Sequence, residues 1–125
     1  MVTESARRPE TLKVVTTATD GITVITVTGE IDQNSAPPLT GALQSAARGE
    51  RPRIVVDMRQ VTFIDSSGIN DFLTARRDLA AAGGWLRLAG VPDRVLRILT
   101  IVGLDTVIGC YPSLRDALNA PDLSG

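Results

Sequence analysis

Asp65-Ser66-Ser67-Gly68 is the stretch of this chain whose residue types and spacing could do chemistry. It lies between an apolar run, Val61-Thr62-Phe63-Ile64, and a segment of helical apolar spacing that opens at Ile69. An acid and two hydroxyls therefore sit at the mouth of a helix, where unpaired backbone N–H groups and the positive end of the macrodipole converge. Such a place accommodates an anion or a phosphorylated side chain. The same residues also read as plain helix caps, since Asp and Ser both accept hydrogen bonds from a first turn. Ser67 reads as the capping hydroxyl, and Gly68 as either a helix opening or room for a partner's backbone.

Other chemistries lack their parts. The chain has no histidine, which removes the commonest general base and metal ligand and, with them, Ser-His-Asp hydrolysis and ordinary zinc sites. Ser66 has no alternative base, because the only lysine, Lys13, falls on the first strand, and there is no G-x-S-x-G elbow. Asp57 follows a central apolar run, as a phospho-accepting aspartate would, but it lacks clustered acids to hold Mg²⁺ and a lysine near the last strand. It reads as an end-of-strand residue bonding loop N–H groups. Cys110 stands alone, so no disulfide framework exists and a reducing compartment is expected. Thirteen basic against fourteen acidic residues give a net charge of −1, too even for a nucleic-acid binder that works by neutralising phosphates. Phe63 and Phe72 are expected in the core, and Trp85 partly exposed at a strand's start. With so few aromatics there is no stacking platform for single strands. Arg76, Arg77 and Asp78 read as a solvated helix face. The chain shows no apolar window near the ~20 residues of a membrane span and no signal-peptide pattern, so a cytoplasmic address is expected.

The elements that position the tetrad follow from patterning. The chain's 125 residues, 43% apolar and 22% charged, suit one globular domain, expected over 11–120 between flexible ends at 1–10 and 121–125. Leu12–Thr17 and Ile22–Thr28, joined through Asp20-Gly21, predict an antiparallel hairpin. Ser35 reads as the cap of a helix with Pro37 and Pro38 in its first turn, Leu39, Leu43 and Ala46/Ala47 inward, and Gly49 at its end. Ile54-Val55-Val56 has the pattern of a strand buried on both faces. A connection through Met58-Arg59-Gln60 leads to Val61–Ile64 and then to a helix from about 67 to 82. Its inward residues are Ile69, Phe72, Leu73, Leu79 and Ala80, with Arg76 at the stripe's edge. Gly83-Gly84 stops it, and Trp85–Ala89 is the next strand. Pro92 opens a helix with Val95, Ile98, Leu99 and Val102 inward and Gly103 at its end. Val107-Ile108 reads as a brief strand, and Ser113-x-x-Asp116 heads a last helix with Leu114, Ala117 and Leu118 inward. This order predicts an α/β domain with a mixed sheet of about five strands and about four helices, joined by right-handed crossovers.

Five segments together resemble a known family. They are Gly29-Glu30-Ile31-Asp32, Ile54-Val55-Val56-Asp57, Val61 through Ile69, Ala81-Ala82-Gly83-Gly84 and Gly103-Leu104. Over nearly the whole ordered chain they resemble the STAS domain (sulfate transporter and anti-sigma factor antagonist), most closely the single-domain anti-anti-sigma factors. The resemblance implies the STAS fold and a switch. The serine after the aspartate, Ser66, is then phosphorylated by a partner serine kinase that is also the anti-sigma factor. The unphosphorylated form binds that kinase and frees its sigma factor, and a PP2C-type phosphatase restores the active form. ATP and magnesium belong to the kinase, so the resemblance implies no enzyme activity and no cofactor here. By the same resemblance Glu30, Asp32, Asp65, Ser67, Gly68 and Asn70 belong to the partner-binding surface, with Asn70 standing where the family usually has a small residue. The rich use of Ala, Arg and Gly beside one lysine fits a GC-rich bacterial source. A second reading keeps the fold and drops the switch: a non-phosphorylated STAS scaffold or adaptor in a transporter or sensory complex. A monomer or weak dimer is expected, since the hairpin leaves an edge strand that could pair.

Overall fold

The computed structural model describes residues 12–121; of the two polar ends expected to be flexible, 1–10 and 121–125, all but Pro121 lies outside the described residues. Two extended runs rich in Val, Ile and Thr form the hairpin, β1 (Lys13–Thr19) and β2 (Ile22–Ile31). Asp20 and Gly21 turn it with φ of 51° and 82°, the left-handed pair that matches the twist of a two-residue hairpin. The chain continues through α1 (Pro37–Ala46), β3 (Arg53–Ile64), α2 (Ser66–Ala81), β4 (Trp85–Ala89), α3 (Asp93–Ile101), a 3₁₀ turn (Leu104–Thr106), β5 (Gly109–Tyr111) and α4 (Leu114–Asn119). The strands lie in the order β1-β2-β3-β4-β5, with β1 antiparallel and the rest parallel. The expected mixed five-stranded α/β architecture is therefore the one observed.

Successive crossovers step one way along the sheet, so a constant right hand puts α1, α2 and α3 on the same face. Leu39, Leu43, Phe72, Leu79, Val95 and Leu99 from these helices meet Ile25, Ile54, Val56 and Leu88 in the main core. Ala117 of α4, with Leu114 and Leu118, packs on Ile22, Val55 and Ala89 across the other face.

The two apolar runs of the third strand, which the sequence separates by a connection, form one continuous strand of 12 residues. Two irregularities make this possible. Thr26 pairs with Asp57 but Thr28 with Gln60, and Gly29 pairs with Val61 but Glu30 with Phe63. Each inserts one extra residue on β3, as a β-bulge does. Only Arg53–Asp57 also pair with β4, so the upper half of β3 stands beside β2 alone and carries Ile64 and Asp65 beyond the end of β4.

The bulges also correct an expectation. Val61 and Ile64 both point into the core although three residues apart, and Phe63 between them is 43% exposed rather than buried. Leu73 and Val102 are likewise exposed: the buried line of α2 runs through Gly68, Phe72 and Leu79, and Val102 is the cap residue beyond α3. The last strand begins at Gly109, because Val107 ends the 3₁₀ turn and Ile108 fills the core just before pairing starts. Asp57 lies within β3, not at its end, and is buried.

Gly84 fixes the base of the sheet. Its N–H bonds back to the Leu79 carbonyl, closing α2, and Trp85 N–H donates to the Pro52 carbonyl. A Cβ on Gly84 would run into that same Pro52 carbonyl, which is backbone and has no rotamer to escape by. Gly84→Ala should therefore lower the unfolding free energy by about 1–3 kcal/mol, read by denaturant titration; an unchanged midpoint would show that the β3 and β4 starts separate freely.

Candidate functional site

The tops of β2 and β3 meet in parallel register, Glu30 beside Phe63 and Ile31 beside Ile64. Asp65 N–H continues the pairing with a 3.1 Å bond to the Ile31 carbonyl. The backbone of Asp65 remains extended while the next residue begins α2, so Asp65 is the N-cap. Its Oδ1 accepts from Ser67 N–H at 3.0 Å, Gly68 N–H at 3.2 Å and the Ser67 hydroxyl at 2.6 Å. Its Oδ2 accepts from Gln33 N–H at 3.3 Å. One carboxylate thus closes the β3–α2 turn and ties it to the β2–α1 loop. The Ser67 hydroxyl bond is the chief reason that the Asp65 carboxyl titrates below its ordinary value; partial burial opposes it, and the Gly68, Ser67 and Gln33 N–H groups reinforce it.

The β2–α1 loop is folded around Asp32. Its Oδ1 accepts from the N–H groups of Asn34 and Ser35, each at 2.9 Å. The Ser35 hydroxyl accepts from Asp32 N–H at 3.0 Å, and its own proton has two acceptors in reach, the Glu30 carbonyl at 2.7 Å and Asp32 Oδ1 at 2.9 Å. Ser35 is consequently not the cap expected for α1. The cap position is Ala36, which makes no side-chain bond, and the two prolines that follow lack the N–H groups a cap would serve.

The two serines are separated by these bonds. Ser67 is half-buried and its hydroxyl is committed to Asp65, so the cap is the carboxylate and Ser67 supports it. Ser66, the first residue of α2, is exposed, and its hydroxyl makes no hydrogen bond among the described residues. Gly68 is buried; a Cβ there would stand 2.6 Å from Ile31 Cγ2 and 2.9 Å from Ile64 Cγ1. Its lack of a side chain is required by the seating of α2 on β2 and β3. Asn70 is exposed one turn along from Ser66.

The expected set therefore converges: Asp65, Ser66, Ser67 and Gly68 at the mouth of α2, Asn70 above them, and Glu30 and Asp32 on the adjoining strand end and loop. Three further residues stand at the site without having been expected there from the sequence. Phe63 presents an exposed ring three residues before Ser66. Gln33 supplies the loop-to-loop bond. Asp71, four residues after Ser67 and so on the same side of α2, faces Thr40 at 3.5 Å; burial is the main cause that raises its carboxyl above the ordinary value, with Asp65 adding repulsion. The i, i+4 spacing from Ser67 was the available signal for Asp71.

Two other groups that could react, Asp57 and Cys110, are held by their surroundings. Asp57 is held by the Arg59 guanidinium, with Nη2 at 2.8 Å from Oδ2 and Nε at 3.0 Å from Oδ1. Burial pushes the Cys110 thiol up to about 11, leaving almost no thiolate at neutral pH. Among the described residues no group of three or more His, Cys, Asp or Glu side chains could hold a metal ion.

The STAS domain family profile matches residues 13–117. The anti-sigma-B factor antagonist of Listeria monocytogenes is 34% identical over 90 residues, 72% of this chain and 78% of that protein. Its namesake in Bacillus subtilis is 33% identical over 85 residues, 67% of this chain and 76% of that one. Among solved structures, an anti-sigma factor antagonist from Mycobacterium paratuberculosis superposes with a TM-score of 0.81 at 29% identity, covering 90% of this chain and 95% of that chain.

Asp65→Ala should cost about 1 kcal/mol of stability through loss of the cap. Because the folded state lowers the Asp65 pKa, the unfolded chain binds the proton more tightly. The wild type's advantage is therefore full above the ordinary value of 3.8 and fades as pH falls through the lower folded value. Denaturation of both proteins across the acid range checks this; a difference that persists undiminished in acid would contradict it.

Proposed function

The chain belongs to the STAS domain family, and from that premise we propose that it is an anti-sigma factor antagonist whose partner binding is switched off by phosphorylation of Ser66. The observation that carries this reading is the contrast between the two hydroxyls, Ser66 exposed and unbonded at the helix mouth, Ser67 locked onto Asp65. A kinase can reach only the first without dismantling the cap. The unphosphorylated form binds an anti-sigma factor serine kinase and releases its sigma factor; a PP2C-type phosphatase reverses the modification. The protein acts in the cytoplasm as substrate and ligand, not as catalyst. Among the described residues no helix is long and apolar enough to cross a membrane.

The energetics support a switch in binding rather than in folding. A phosphate on Ser66 brings about −1.5 to −2 charges next to Asp65, with Asp32 and Asp71 on the adjoining loop and turn. The α2 dipole offsets only about 0.3–1 kcal/mol at an exposed terminus. Exposed to water, the dianion is tolerated; enclosed by a partner without full pairing, it costs several kcal/mol. A loss of about 3–4 kcal/mol weakens binding a few hundredfold. Phe63 supplies the apolar contact beside this charge, since exposed aromatic anchors carry a large share of binding energy at interfaces.

The test is a pull-down from native cytosol with Ser66→Ala and Ser66→Asp side by side, with mass spectrometry of the captured proteins and of the wild-type bait. The expected result is a histidine-kinase-like ATPase retained by the Ala form and lost by the Asp form, with phosphate on Ser66 and still present there in Ser67→Ala. Both forms retaining one partner, with no phosphate found, would replace this reading with the scaffold. Phe63→Ala should weaken the same partner about tenfold while leaving the thermal midpoint nearly unchanged, which titration calorimetry and a melting curve measure.

A further inference from the structure

At the other end of the sheet, where β3, β4 and β5 begin, lies an open recess of about 1130 Å³. Arg51, Arg53, Arg76 and Arg87 line it together with Trp85 and Tyr111, and Glu50 is the one acid in its wall among the described residues. None of these arginines forms an ion pair with a described residue; the pairs among the described residues are Arg59 with Asp57 and Arg77 with Asp78.

The recess is built, not incidental. Arg87 is 6% exposed, and its guanidinium stacks 3.7 Å from the centre of the Trp85 ring and 5.6 Å from that of Tyr111. It donates to the carbonyls of Ala117, Ala120 and Pro121, which lock the end of α4 over the recess. Arg76 Nε donates to the Val107 carbonyl, which fixes that side chain across the rim. Arg51 holds a left-handed φ of 52°, a conformation costly for a residue with a Cβ. The Trp85 indole N–H is buried and finds no acceptor among the described residues, a rare condition that calls for a missing partner. Four guanidinium groups against a single carboxylate, with an orphan donor in the same wall, ask for an acceptor-rich anion. Guanidinium forks match phosphate oxygens in pairs.

We propose that this recess is a second binding site, for an anion of the phosphate or polyphosphate class, at the end of the sheet opposite Ser66. Arg51, Arg53 and Arg76 meet its oxygens, and the rigid Arg87–Trp85 stack forms the floor. It is independent of the phosphorylation reading, since no residue is shared with the Ser66 site.

Trp85 is the only tryptophan in the chain, so its emission reports on this recess alone. The experiment titrates the full chain with sodium pyrophosphate and with inorganic phosphate at fixed ionic strength, by calorimetry and by Trp85 fluorescence in parallel. Saturable heat with a matching change in emission is expected, tighter for pyrophosphate. Arg51→Gln/Arg53→Gln should weaken it about tenfold or more with an unchanged melting curve, and Arg76→Gln serves if that double variant does not fold. No heat at millimolar anion, heat reproduced by chloride, binding without an emission change, or equal affinity in the folded variants would each overturn the proposal.

Discussion

The end of this molecule that carries the candidate site depends on one carboxylate. Asp65 accepts three hydrogen bonds on one oxygen and a fourth on the other, and the groups that supply them come from the first turn of α2 and from the β2–α1 loop. Without it, the first turn of α2 has orphan donors and the β2–α1 loop loses its tether. Capping and the proposed role at the partner surface, which the sequence presents as rival readings of Asp65, draw on the same hydrogen bonds. By drawing in Ser67, the cap leaves Ser66 as the hydroxyl facing outward; by remaining ionised, it places a negative charge where any phosphate on Ser66 must sit.

That arrangement rests in turn on the length of β3. A strand ending level with β4 would leave the helix mouth beside the α3 connection, whereas the long bulged β3 lifts it clear. Gly68 completes the placement, because only a residue without a Cβ lets α2 start directly against Ile31 and Ile64. The exposed ring of Phe63 is a by-product of the same bulges, and it gives the raised end an apolar element among its acids.

Much of this was legible in the chain. Asp20-Gly21 specifies its turn, the apolar run at Ile54 its central strand, and Gly83-Gly84 its helix stop, because each rests on local backbone chemistry. Ser113 also caps α4 as its spacing predicts, accepting from Asp116 N–H at 3.1 Å. What failed depended on partners distant in sequence. Phe63 has the composition of a core residue, but the bulge that exposes it is set by pairing with β2, not by the residues of β3 alone. Ser35 has the composition of a cap, but the Glu30 carbonyl and Asp32 claim its hydroxyl first. Leu73 and Val102 lie at the margins of their helical stripes, where a small rotation decides exposure. The helix mouth was readable because Asp65 to Gly68 are contiguous; Glu30 and Asp32 entered only through the family resemblance, and Gln33 joins through its folded contact with Asp65.

A net charge of −1 conceals how the charges are arranged. Glu30, Asp32, Asp65 and Asp71 gather where β2 and β3 end, while Arg51, Arg53, Arg76 and Arg87 gather where β3 and β4 begin. Fixed charges act over roughly 8–10 Å at physiological ionic strength, so the two ends are electrically separate surfaces. A phosphate added at Ser66 deepens a field that is already negative and is largely screened from the arginines at the far end. In the proposed switch its effect would be local repulsion and desolvation at the covered interface, not a rearrangement propagated through the sheet. The central stretches between the two ends, Ile54–Met58 of β3 and Leu86–Ala89 of β4, are buried on both faces, which is the constraint that lets one end change its charge while the other keeps its shape.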